Sequence, residues 1–258
     1  MVLRFTLAYI PSEAWLRHSA QSDACSASER AAMTAIGFDF DHTLGTDNQV
    51  ERFAFVKAAS DLGAAHGVAV NGLAAFEAID REIRSFRAGQ CSLEVALRRA
   101  FAATLPEAAI DHRAAERFRE LAVQMVPSYV RALPGVDALL HALDDALVPY
   151  AILTNGWNPL QQRKADAVGF RGPVLVSEDL GVRKPGAGAF AKLGEVLGVD
   201  STDVWYVGDD PHADVGGALS AGMRAIWFDW EGRPYPAELA APTATIHRIA
   251  DVLSVVPV

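Results

Sequence analysis

The sequence predicts an α/β fold, a doubly wound parallel sheet with an inserted all-helical domain, and three observations carry that prediction. Beyond Leu133-Pro134-Gly135, short apolar runs alternate with amphipathic segments of helical period. One isolated apolar run, Ala35-Ile36-Gly37-Phe38, stands far upstream of that alternation. Between the two, apolar residues recur at three- and four-residue steps with no strand signal. Strands separated by helices imply parallel βαβ units with right-handed crossovers. The upstream strand then joins the same sheet, and the helical block is an insertion after it.

Taken in chain order, residues 1–34 read as an extension outside the fold. Phe5-Thr6-Leu7-Ala8-Tyr9-Ile10 is too short an apolar stretch for a signal peptide, and Pro11 ends it. Residues 19–28 are serine-rich and polar, and Met33 stands just before the first strand. Either the natural chain begins at Met33, or residues 1–32 form a poorly ordered extension. The sheet domain is expected in two pieces, residues 35–47 and 131–258, around a helical insertion at 48–130. Within the insertion, the spacings Phe53-Val56-Ser60-Ala64, Leu73-Phe76-Ile79-Ile83, Leu93-Ala96-Leu97-Ala100 and Phe118-Leu121-Val123-Met125 give four helices. Gly67, Asn71-Gly72, Gly89 and Pro106 punctuate them. The sheet domain resumes with strands at 150–153, 174–176, 204–207 and 225–228. Helices at 136–147, 159–168, 187–197 and 213–221 connect them.

Composition narrows the function. Of 258 residues 51% are hydrophobic, yet no apolar stretch approaches the roughly 20 residues that span a bilayer. The formal charge of -9 offers no basic surplus for a nucleic-acid backbone. Small phosphorylated substrates remain open, because a cation can supply positive charge locally. Cys25 and Cys91 are the cysteines and do not form a CxxC pair, so a reducing, cytoplasmic setting fits best.

In an open α/β sheet, ligands bind beyond the carboxyl ends of the strands. The first strand runs into Asp39-Phe40-Asp41-His42-Thr43-Leu44. Asp39 and Asp41 share a face if the strand continues, and a turn at Asp41 would swing it over Asp39. Either way two like charges converge, an arrangement used by metal and acid/base chemistry, although one Asp capping a turn gives the same pattern. After the second strand, Thr154-Asn155-Gly156 offers a hydroxyl and backbone N–H groups that could hold an anion, or simply turns. After the fourth, Gly208-Asp209-Asp210 with Asp214 is dense enough in oxygens for Mg2+, or is a turn with a helix cap. Four of the 23 Lys and Arg residues are lysines, which makes Lys184, in Arg183-Lys184-Pro185, a chosen point charge.

The order of these segments is more telling than any one of them. Asp39-x-Asp41-x-Thr43, then Leu153-Thr154-Asn155-Gly156, then Lys184-Pro185, then Val207-Gly208-Asp209-Asp210-x-x-x-Asp214 precede Gly217-Ala218 and Ala221-Gly222-Met223. Together they resemble the four signature segments of the haloacid dehalogenase superfamily, over about residues 36–228. The resemblance implies a Rossmann-like core, a helical cap of the subfamily I kind, and Mg2+-dependent hydrolysis of a small phosphate monoester. It implies Asp39 as the nucleophile that forms an aspartyl-phosphate, and Asp41 as the general acid and then base. Thr154 and Lys184 match the groups that hold the transferring phosphoryl oxygens, with Thr43, Asn155 and Gly156 on the substrate side. The metal would be held by Asp39, the Asp41 backbone carbonyl and Asp209, joined by Asp214 or Asp210.

Residue 41 discriminates among relatives of this pattern. The dehalogenases have Tyr there, and the phosphonate-cleaving branch has a small residue plus a cap lysine. Lys57 is the one lysine of the expected cap, and its helical spacing is that of a surface residue. A sugar-phosphate mutase shares all four segments, and a catalytically silent phosphometabolite-binding protein is the alternative of another class. Candidate cap contacts are Arg52, Phe53, Arg84, Phe86 and Arg87, each of which also reads as cap core or solvated charge. Hinges are expected at Gly45-Thr46-Asp47 and at 129–134, in a monomer or weak dimer.

Overall fold

The structure is a computed structural model that describes residues 34–46 and 49–257. The expectations for residues 1–33, including the start at Met33, and for Asp47 lie outside the described residues. The first strand, β1 (Ala35–Phe38), is followed by α1 (Val50–Ala65), α2 (Gly72–Arg87), α3 (Leu93–Thr104) and α4 (Ala114–Tyr129). The chain continues through α5 (Val136–Asp145), β2 (Tyr150–Thr154), α6 (Leu160–Ala167), β3 (Val174–Val176), α7 (Ser177–Leu180) and α8 (Ala187–Leu197). It closes with β4 (Val204–Gly208), α9 (Gly217–Ser220), β5 (Arg224–Phe228), β6 (Ala244–Ile246) and α10 (Val252–Val255).

Among the described residues the strands form one sheet in the order β3-β2-β1-β4-β5-β6, with every pair parallel. That order makes the sheet Rossmann-like, and it reverses between β1 and β4, where a doubly wound sheet opens its binding crevice. Asp39 and Asp209 leave those two strands side by side. Period-two alternation sorts the strand residues onto two cores. Ile36, Phe38, Ile152, Val207 and Ile226 face one layer, which runs on into the apolar interior of α1 to α4. Ala35, Ala151, Leu153, Tyr206 and Ala225 face the other, against Phe190 and Leu193 of α8. Gly37 is required here, because a Cβ on it would stand 2.7 Å from the Tyr206 ring.

The four insertion helices include two capped as their sequences suggest. Asn71 accepts from the N–H groups of Leu73 and Ala74 at 3.1 Å, and Ser92 accepts from Val95. The two chain crossings between core and cap lie against each other. Thr46 N–H donates to the Arg131 carbonyl at 2.9 Å, Arg131 N–H donates back to Thr46 Oγ1 at 3.1 Å, and Leu133 N–H donates to the Leu44 carbonyl.

Two expectations need correction. The sequence does not announce β6, because three residues at a sheet edge carry too little pattern to show a period. The helix expected at 213–221 starts as a π-turn, Pro211–Gly216, and is α-helical only over Gly217–Ser220. The widening is visible where Val215 N–H reaches the Asp210 carbonyl at 3.2 Å, five residues back. Such turns recur at functional sites, and this one carries Asp214.

Candidate active site

The site is built from three strand ends, those of β1, β2 and β4, and from the loop after α7 that carries Lys184. Asp39 prolongs β1 by one residue, its N–H donating to the Val207 carbonyl at 2.9 Å. The chain then turns tightly: the Phe40 carbonyl accepts from the N–H groups of Thr43, Leu44 and Gly45. His42 sits in the left-handed region at φ 64°, which His tolerates better than most residues. The turn sends the two carboxylates different ways. The expected convergence of like charges is therefore corrected: Asp39 Oδ1 accepts from Lys184 Nζ at 2.6 Å, and Asp41 Oδ1 from Lys164 Nζ at 2.7 Å. Each carboxylate has its own ammonium.

Lys184 is buried and spends all three of its protons, on Asp39 Oδ1, on Asp214 Oδ1 at 2.7 Å and on the Tyr206 hydroxyl at 2.9 Å. Burial opposes its charge, but Asp214 and Asp39 outweigh that and raise its pKa well above the ordinary value. Tyr206 in turn donates to the Leu153 carbonyl at 2.8 Å, which fixes the hydroxyl as an acceptor for Lys184. Burial pushes the Tyr206 pKa far up, so it stays a neutral phenol. Asn155 holds the Lys184 backbone from both sides, accepting from its N–H at 3.0 Å and donating to its carbonyl at 2.9 Å.

Oxygens of Asp39, Asp209 and Asp214 lie within 4.8 Å of one another. Burial raises the Asp209 pKa to about 8, helped by the charges of Asp214, Asp39 and Asp210 and opposed by Arg233. Asp214 is raised by burial and by Asp39, with Lys184 pulling the other way. Carboxylates forced up together in this way are short of positive charge. An oxygen-only, acceptor-only set fits a hard divalent cation such as Mg2+ and offers no soft nitrogen or sulfur donor. Asp210 is not in the group, and its Oδ1 caps the π-turn, accepting from His212 and Ala213 at 2.8 Å. The Asp41 carboxylate is not one of the three and is paired with Lys164.

Asp41 faces the cap instead. Arg87 of α2 approaches its Oδ2 to 3.5 Å and binds Glu51 of α1 at 2.7 Å, and Glu51 Oε1 accepts from Trp157 Nε1 of the core at 2.8 Å. Burial disfavours ionising Asp41, but the cations of Lys164 and Arg87 prevail and hold its carboxyl well below the usual range. On the neighbouring edge Arg183 donates to the Phe86 carbonyl at 2.5 Å, at the C-terminal end of α2.

The other expected residues fall out as follows. Thr154 ends β2 and is buried, and Thr43 is fully buried with no partner for its hydroxyl among the described residues. Gly156 is a correction as an anion donor, because its N–H is already given to Ser177 Oγ at 3.2 Å. The Asn155 amide is likewise spent on the Lys184 loop rather than turned toward a ligand. Of the cap candidates, Arg87 is paired with Asp41. Arg52 and Arg84 both bind Asp80, Phe86 is packed in the core, and Phe53 stacks on Tyr129. Lys57 pairs with Asp61 on an exposed helix face. Sequence reasoning missed Lys164, Glu51, Trp157, Tyr206 and Arg233. The scarcity of lysine was the one signal available for Lys164.

Comparison with known proteins agrees with this geometry. The family model of haloacid dehalogenase-like hydrolases matches residues 33–222, and the chain belongs to that family. It is 30% identical over 140 residues to the pyrimidine 5'-nucleotidase YjjG of Escherichia coli, covering 53% of this chain and 61% of the relative. It is 34% identical over 144 residues to a phosphoserine phosphatase of Thermus thermophilus, covering 54% of this chain and 57% of the relative. The match thus spans about three fifths of these relatives. The fold resembles that of a 2-haloacid dehalogenase from Pseudomonas syringae pv. Tomato, at 28% identity and a TM-score of 0.64, covering 86% of this chain and 97% of that one. Among the described residues no helix is long and apolar enough to cross a membrane.

Proposed function

We propose that the protein is a Mg2+-dependent phosphatase that hydrolyses a small phosphate monoester through an aspartyl-phosphate on Asp39. The observation that carries this reading is the pairing of an acidic oxygen cluster, Asp39, Asp209 and Asp214, with a separate carboxylate, Asp41, at the same strand end. A phosphoryl group needs both, whereas a halide leaving group needs neither a cation nor a proton. Asp41 is therefore what argues against the dehalogenase reading that the solved neighbour invites. The relatives named as phosphatase and nucleotidase support the same choice.

Asp39, Asp209 and Asp214 would hold the cation, which when bound supplies positive charge against the phosphate oxygens. Asp39 attacks phosphorus, the bond to the leaving oxygen breaks, and Asp41 gives that oxygen a proton. Water then attacks the phosphorus of the aspartyl-phosphate, Asp41 takes its proton, and Asp39 is released. Lys184 keeps the Asp39 carboxylate in line, and the buried Thr43 and Thr154 hydroxyls offer donors to phosphoryl oxygens. In the ligand-free site Asp41 is ionised by Lys164 and Arg87. A phosphate dianion beside it opposes both cations, so the arriving substrate is what loads Asp41 with its proton.

The test is turnover of 4-nitrophenyl phosphate with Mg2+, set against the Asp39→Asn variant. Metal-dependent release of phosphate, lost in the variant, is expected. Turnover that persists in Asp39→Asn, or none across nucleotides, sugar phosphates and phosphoserine, would sink the reading.

A further inference from the structure

Lys164 has no part in the four signature segments, yet it is among the largest fully buried side chains of the protein. It lies on α6, the helix that follows the Thr154 strand end, and its Nζ is 2.7 Å from Asp41 Oδ1 and 5.8 Å from the centre of the Phe40 ring. An ammonium with no access to water is costly to bury unless its partner is fixed with it. Phe40 is itself closely packed: it is fully buried, and Gly45 lies so near that a Cβ there would strike the ring. The ion pair is thus held from both ends, by the helix that carries Lys164 and by the turn that carries Asp41.

The consequence lies in which oxygen of Asp41 is presented. Lys164 engages Oδ1, and Oδ2 is the oxygen on the cap side, where Arg87 stands at 3.5 Å. Building on the phosphatase reading above, we propose that Lys164 is a positioning residue for the general acid. It fixes the Asp41 rotamer so that Oδ2 meets the leaving-group oxygen at the cleft between core and cap. Lys164 belongs to the core and keeps its hold however the cap sits, whereas Arg87 comes from the cap. The division follows from position: Lys184 sets the nucleophile, and Lys164 sets the acid.

A group that acts through proton donation matters most when the leaving group is a poor one. The experiment compares wild type, Lys164→Met and Lys164→Gln on aryl phosphates of graded leaving-group acidity, from phenyl phosphate to 2,4-dinitrophenyl phosphate, with Mg2+. The expected result is a loss in kcat on the order of 10- to 100-fold for phenyl phosphate, little change for the dinitrophenyl ester, and KM values within about twofold. In an Asp41→Asn background the Lys164 substitutions should add nothing further. A loss equal for all leaving groups, no loss, or two variants that both unfold makes Lys164 a purely structural ion and overturns the inference. If wild type turns over none of the esters, the phosphatase reading falls first; if wild type turns over and the losses are uniform, only the role of Lys164 falls.

Discussion

Arg87 of the helical insertion stands 3.5 Å from Asp41 of the sheet domain, and its contact with Glu51, at 2.7 Å, is to a carboxylate that also binds Trp157 of the core. One guanidinium therefore bridges the two halves of the molecule at Asp41, the residue proposed as the general acid and base. A bound phosphate ester would lie in the same cleft, where Arg87 offers it a charge-assisted donor. Arg87→Ala should raise KM for 4-nitrophenyl phosphate by about tenfold with kcat within a few-fold. Arg87→Lys should recover part of the loss, since the charge returns without the fork. An unchanged KM in Arg87→Ala would mean that the contact is structural.

The acidic cluster of Asp39, Asp209 and Asp214 makes a prediction about pH. Asp209 has a folded pKa of about 8, whereas an unfolded Asp titrates near its ordinary value of about 4. Between those two pH values the folded chain holds a proton that the unfolded chain has released. The metal-free protein should therefore lose stability as pH rises from about 4 toward 8. A cation must displace that proton, so its affinity rises over the same interval. Thermal melts at about pH 6 and about pH 8.5, with and without Mg2+, should show the larger Mg2+-induced rise at the higher pH. Equal rises at both values would contradict the assignment of Asp209.

Gly208 closes β4 immediately before Asp209, and a Cβ on it would overlap the side chain of Asp214. The strand is paired on both sides and cannot yield, so Asp214 must move. Gly208→Ala should raise the Mg2+ concentration for half-maximal activity at least several-fold. It should also cost about 1–3 kcal/mol of stability by overpacking. A variant with normal metal dependence would show that Asp214 is not needed in the cluster.

These three sites differ in how far the sequence announced them. Asp39, Lys184 and Asp209 were legible from their place in the chain: Asp39 and Asp209 each follow an apolar run, and strand ends are where such a sheet binds ligands. Asp214 and Asp210 are level in the sequence because a π-turn, not residue type, decides which carboxylate turns inward. Gly156 misled because the N–H it was credited with is taken by Ser177, 21 residues on, a contact that exists only after β2 and β3 pair. Lys164 and Glu51 were missed for a related reason. Their partners lie 123 and 106 residues away, and neither sits in a local pattern that charge or period could betray.

Thr43 gives the sharpest separation of stability from function. Its hydroxyl is fully buried and has no hydrogen-bond partner among the described residues, a condition that costs about 1–3 kcal/mol in a folded protein. Valine has nearly the same shape and removes the unpaired group, so on packing grounds Thr43→Val should raise the melting temperature or leave it unchanged. If the hydroxyl exists to donate to a phosphoryl oxygen, the same change should lower kcat/KM for 4-nitrophenyl phosphate by about tenfold. It should also abolish the thermal stabilisation that inorganic phosphate gives in the presence of Mg2+, because binding to the folded state alone is what stabilises it. A variant that melts lower would show that the hydroxyl is satisfied within the fold. One that keeps both its activity and its phosphate protection would remove Thr43 from the site.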